Sequence, residues 1–93
     1  MSNNLINAVD YSLFTFGSTS HALKAENILK GLKAEFIIIP TLREISTSCG
    51  LSIKINPDNV NSYYDILKTH NVEVEAIYYV KKVDRKNLIE KIT

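Results

Sequence analysis

The chain switches between two hydrophobic periods in a fixed order, and that order admits few folds. Period-2 runs at 11–16, 35–39, 51–55 and 72–80 read as strands. Between them, Ala22, Ala25, Ile28, Leu29 and Leu32 form one helical stripe, and Val60, Tyr63, Tyr64 and Leu67 form a second. The Gly17-Ser18-Thr19-Ser20 turn offers caps for a helix at 19–32 that ends near Gly31. Asn56-Pro57-Asp58 opens the other helix, at 57–70, with Asn56 as cap and Pro57 in the first turn, and it stops near His70-Asn71. Pro40 closes the second strand, because proline has no N–H for the ladder.

Strand–helix–strand–strand–helix–strand is the pattern of an α+β, ferredoxin-like split βαβ domain. It predicts a four-stranded antiparallel sheet with both helices on one face and the other face open. On simple alternation, Val72, Val74, Ala76, Tyr78 and Val80 share one face of the last strand, and Glu73, Glu75, Ile77, Tyr79 and Lys81 share the other. Ile77 and Tyr79 then mark a weak homodimer face, provided nothing else covers the open side. Residues 1–10 read as a flexible lead-in, 11–83 as the single domain, and 84–93 as a charged tail in which Leu88, Ile89 and Ile92 suggest a short helix.

Charge and composition narrow the function classes. Eleven basic and ten acidic residues leave a net charge of +1, which gives no field for nucleic acid or a membrane surface. RNA-recognition modules of similar layout carry aromatics on the third strand, whereas that strand here reads Leu-Ser-Ile-Lys-Ile. No apolar run approaches the roughly 20 residues of a membrane span, and the start lacks the pattern of a signal peptide, so a cytoplasmic location is expected. One cysteine makes no internal disulfide and no dithiol redox pair. His21, His70 and Cys49 lack ligand spacing, so neither a metal nor a cofactor is expected.

That lone cysteine, Cys49, lies in Pro-Thr-Leu-Arg-Glu-Ile-Ser-Thr-Ser-Cys-Gly, residues 40–50, between two strands. A thiol reacts as thiolate, and nearby cations or N–H donors lower its pKa. Arg43 supplies positive charge, and Ser46, Thr47 and Ser48 supply hydrogen-bond donors. Gly50 leaves room for a partner to approach and permits a turn at positive φ. With no histidine close in sequence, a hydrolytic Cys–His pair is disfavoured. Equally, a single free cysteine is often a small buried hydrophobe. Glu26 is either an orienter of Arg43 or, as is commoner for glutamate, a solvated flank of its helix. His21 reads as a surface residue at a helix start.

Leu42-Arg43-Glu44-Ile45-Ser46-Thr47-Ser48-Cys49-Gly50-Leu51 resembles the Pro-Arg-x-x-Ser-x-x-Cys-Gly signature of small bacterial proteins described as selenium/sulfur carrier-like. The stretch from Phe16 to Glu26, with its Ala-Leu-Lys-Ala-Glu run, is similar to that family's opening strand and helix, and the resemblance covers residues 13–80. Leu42 stands where the family has proline. The resemblance implies a carrier rather than a turnover enzyme. Cys49 would hold a persulfide or perselenide, stabilised by Arg43, with Ser48 as a hydrogen-bond donor and Gly50 setting loop geometry. Its partners would be a sulfur or selenium donor protein and an acceptor protein. The competing expectation is a small regulatory or assembly module in which Cys49 is structural.

Overall fold

The computed structural model describes residues 9–45 and 50–92. In chain order the elements are β1 (Asp10–Phe16), α1 (Thr19–Gly31), β2 (Ile37–Pro40), β3 (Leu51–Ile55), a 3-10 turn (Pro57–Asn59), α2 (Val60–Thr69), β4 (Val74–Val83) and β5 (Lys86–Lys91). The strands form one antiparallel sheet in the order β2-β3-β1-β4-β5.

Among the described residues the sheet therefore has five strands, not the expected four. The extra one occupies the tail, where Leu88, Ile89 and Ile92 had suggested a helix. Asp84 (φ 49°) and Arg85 (φ 69°) reverse the chain in two residues, and Val83 pairs with Lys86 across them. Two successive positive φ values are the signature of a hairpin turn whose twist matches its strands.

One layer of the molecule is the helical core. Ala22, Ala25 and Leu29 of α1 and Leu67 of α2 bury against Phe14, Phe16, Ile53, Ile55 and Ile77 of the sheet. Fully burying a side chain of the Leu, Ile or Phe class contributes roughly 1.5–3 kcal/mol. Ser18 caps α1 by accepting the His21 N–H at 3.4 Å, and Asn56 accepts the Asp58 N–H before α2. The Tyr63 hydroxyl accepts the Glu35 N–H at 3.1 Å, tying α2 to the approach to β2.

Both helices stop in the same way. The Lys33 N–H donates to the Lys30 carbonyl and the Ala34 N–H to the Leu29 carbonyl. Asn71 and Val72 repeat these bonds to Lys68 and Leu67. Lys33 and Asn71 hold the left-handed position of this Schellman arrangement, with φ of 57° and 61°. Gly31, the expected end of the first helix, is its last residue, and the left-handed position falls two residues later, at Lys33. Asparagine tolerates left-handed geometry, but lysine does not favour it. Lys33→Gly should therefore stabilise the fold by about 0.5–1 kcal/mol, read as a higher urea midpoint. An unchanged midpoint would mean that lysine bears no strain there.

The faces of β4 depart from simple alternation. Between Thr15 and Phe16 the register steps from Thr15↔Ala76 to Phe16↔Val74, which places one extra residue on β4. Such a bulge inverts the phase of everything beyond it. Val72 and Val74 thus share the helical core with Ile77, while Tyr78 and Val80 turn to the opposite face. Ile77 is only 3% exposed, so it does not form the expected dimer face. Tyr79, its expected companion there, donates its hydroxyl to Asp10 Oδ2 at 3.1 Å.

The face away from the helices is not open either. Tyr11, Leu13 and Val80 of the sheet form a second cluster with Ile45, flanked by Ile39, Leu42, Tyr78 and Ile89. Leu42 and Ile45 belong to the connection between β2 and β3, so this first part of the connection folds onto the sheet.

Candidate functional site

The β2–β3 connection is closed at its base. Pro40 pairs with Leu51 as the last step of the ladder. The Thr41 N–H donates to the Gly50 carbonyl at 3.0 Å, and the Thr41 and Ser52 hydroxyls meet at 2.8 Å. Within the loop, the Ile45 N–H donates to the Leu42 carbonyl at 3.0 Å, which makes a turn with Arg43 and Glu44 at its corners. Leu42 and Ile45, on either side of that turn, pack onto the sheet, with Ile45 at 6% exposure. Arg43 and Glu44 are consequently held out in solvent. Leu42 thus has a visible role as an apolar anchor.

Gly50 is exposed, does not adopt positive φ, and has space where a Cβ would sit, with no described heavy atom within 4 Å. Neither backbone strain nor described packing demands glycine there. Cys49 and Ser48, like Ser46 and Thr47, lie outside the described residues, so the roles expected of them rest on the sequence.

His21 and Glu26 lie away from this loop. His21 sits at the start of α1, in the helical layer, and its Nδ1 accepts the Glu73 N–H at 3.1 Å. Glu26 is also on α1, across the sheet from Leu42 and Ile45, and does not orient Arg43. Among the described residues no three of His, Cys, Asp and Glu gather as a metal site.

Lys54 is the residue that sequence reasoning passed over. It alternates away from Ile53 and Ile55, and its side chain lies on the loop-bearing face. It is only 9% exposed, with its ammonium 4.2 Å from the centre of the Tyr11 ring. Burial, and then the nearby Lys82 charge, lowers its pKa from the ordinary 10.5. Burial, and then the Glu44 carboxylate, raises that of Tyr11 from 10.0. Tyr11 therefore lies under the Lys54 cation and within the field of the loop's Glu44. The only sequence signal was a lysine in a strand otherwise made of Leu, Ser and Ile.

The lowered Lys54 value carries a pH signature. As pH rises from the folded toward the unfolded pKa, the unfolded chain holds more protons, so stability increases. The raised Tyr11 value works the other way once pH passes about 10. Stability should therefore climb as pH approaches about 10 from below and turn down beyond it. Lys54→Met should flatten the climb. Thermal melts across that range test this, and an equal slope in both proteins would remove Lys54 as its source.

An α+β domain with a clamped, stapled loop bearing the chain's one cysteine is the class of protein these elements define. A family model matches residues 10–79, which take in β1 to β3, both helices, the loop and the first part of β4, and the chain belongs to the family described as "Putative Se/S carrier protein-like". No curated protein and no solved structure matches it. No described helix is long and apolar enough to cross a membrane.

Proposed function

We propose that this protein is a cytoplasmic sulfur or selenium carrier that holds its cargo on Cys49 and passes it between protein partners. Family membership over residues 10–79 is the observation that carries this reading, because the matched region contains the whole clamped loop. The strand order β2-β3-β1-β4, with helical crossovers, supports a ferredoxin-like framework to which β5 is added.

In the loading step, the Cys49 thiolate attacks the outer sulfur of a donor protein's persulfide. The donor's S–S bond breaks, the donor sulfur leaves as thiolate, and Cys49 becomes the persulfide. No net oxidation occurs, and delivery to an acceptor reverses the exchange. A perselenide follows the same course. Arg43, held outward at the corner of its turn, supplies positive charge to the persulfide anion, and Ser48 supplies a hydrogen bond. Lys54 adds a cation on the same face of the sheet. Gly50, with open space about it, lets the partner's sulfur approach closely.

The test is alkylation by iodoacetamide under native conditions as a function of pH. Cys49 should react in the folded protein with a pKa below the free-thiol value of about 8.5. Arg43→Ala should raise that pKa and slow alkylation near neutrality. Ser48→Ala should act in the same sense but less, because a hydroxyl donor contributes less than a charge. A thiol that reacts only after unfolding would sink the carrier reading and leave the structural cysteine of an assembly module.

A further inference from the structure

The two edges of the sheet are finished differently. At one edge, β2 is four residues long and ends in proline, features that discourage pairing with another chain. At the other edge, β5 is six residues long and contains no proline. Among the described residues it has a neighbouring strand on one side only. Leu88 and Ile92 are 58% and 52% exposed there.

The hydrogen bonding shows which groups β5 offers. The Ile92 N–H donates to the Ile77 carbonyl at 2.7 Å. Antiparallel pairs alternate between bonded and non-bonded, so Lys86, Leu88 and Glu90 also direct their backbone groups toward β4. Asn87, Ile89 and Lys91 therefore direct theirs outward.

We propose that two copies of this chain join through β5, antiparallel about a twofold axis at Leu88, to make one continuous ten-stranded sheet. In that register Asn87 of each copy exchanges backbone bonds with Ile89 of the other. Leu88 faces Leu88 across the axis. Lys86 of each copy faces Glu90 of the other, so the opposite-charge pair occurs twice. All three of these side-chain pairs fall at non-hydrogen-bonded positions, where side chains approach most closely.

Neighbouring registers are worse. An axis at Ile89 puts Leu88 opposite Glu90 and Lys86 opposite Ile92. An axis at Glu90 sets that carboxylate against its own copy. An axis at Asn87 sets Glu90 against Asp84. The order Lys-x-Leu-x-Glu is thus self-complementary only when centred on its leucine, which is why the occupant is a second copy of this chain.

Sedimentation of the full chain from micromolar to millimolar concentration tests the proposal. The wild type should show a concentration-dependent dimer. Lys86→Glu and Glu90→Lys should each weaken it by about tenfold, since both pairs become like-charged. Mixing these two variants in equal amounts should restore association, because every facing pair in the mixed dimer is again opposite in charge. The chain with both substitutions should dimerise like the wild type, which keeps the test decisive if either single variant folds poorly. A wild type that stays monomeric overturns the proposal. So does a mixture that associates no better than its components, or a doubly substituted chain that does not dimerise.

Discussion

Incubated with a cysteine desulfurase and cysteine, the wild-type chain should gain about 32 Da per sulfur, a reducing thiol should remove the gain, and Cys49→Ser should gain nothing. This is the largest effect expected of any single substitution, because the protein has one thiol and persulfide transfer requires one. Sulfane transfer begins with a thiolate attacking sulfur, and the serine hydroxyl, essentially un-ionised at neutral pH, cannot replace it. Circular dichroism of Cys49→Ser should match the wild type, since the loop's recorded anchors are Thr41, Leu42, Ile45 and Ser52. Intact mass spectrometry gives the result directly. An adduct on the serine variant would place the sulfur elsewhere, and a wild type that takes up none from any competent donor would remove the carrier function.

Ile45→Ala should lower stability by roughly 2–4 kcal/mol and also slow sulfur delivery. Ile45 is buried among Tyr11, Leu13 and Val80, and truncation leaves a cavity under the loop. The loss is large beside the 5–15 kcal/mol typical of a domain's total stability. Phe14→Ala makes a useful comparison, with a cost of roughly 3–5 kcal/mol in the helical layer on the other side of the sheet. Both variants should melt early, but only Ile45→Ala should deliver sulfur slowly at temperatures where each is fully folded. Equal delivery rates in the two would show that seating the loop on the sheet has no bearing on transfer.

Much of this was legible in the sequence because local signals agreed with the fold. Ser18 and Asn56 are caps, Pro40 ends a strand, and the stripes through Ala22 and Leu67 face the core. The bounds of the cysteine loop followed from Pro40 and Leu51. What escaped notice had no periodic signal or mimicked another one. Asp84-Arg85 makes a turn usually written with Asn-Gly, so the hairpin was hidden, and Leu88, Ile89 and Ile92 fit helical spacing as well as they fit an edge strand. The bulge beside Thr15 inverts the faces of β4, which no count of alternating residues can foresee. The seating of Leu42 and Ile45 depends on an apolar face whose covering is settled only in three dimensions, and the burial of Lys54 was missed for the same reason.

The strand order has a consequence for redox safety. The base of the β2–β3 loop, where Gly50, next to Cys49 in sequence, bonds Thr41, and β5 lie toward opposite margins of the sheet. If two copies join at β5, their β2 strands stand at the far ends of ten strands, of order 40 Å apart at the usual inter-strand spacing. A disulfide needs Cα atoms within about 7 Å. Two chains so joined could each carry cargo at an outer end without the dimer cross-linking its own thiols, and oxidative coupling would need a meeting between separate assemblies.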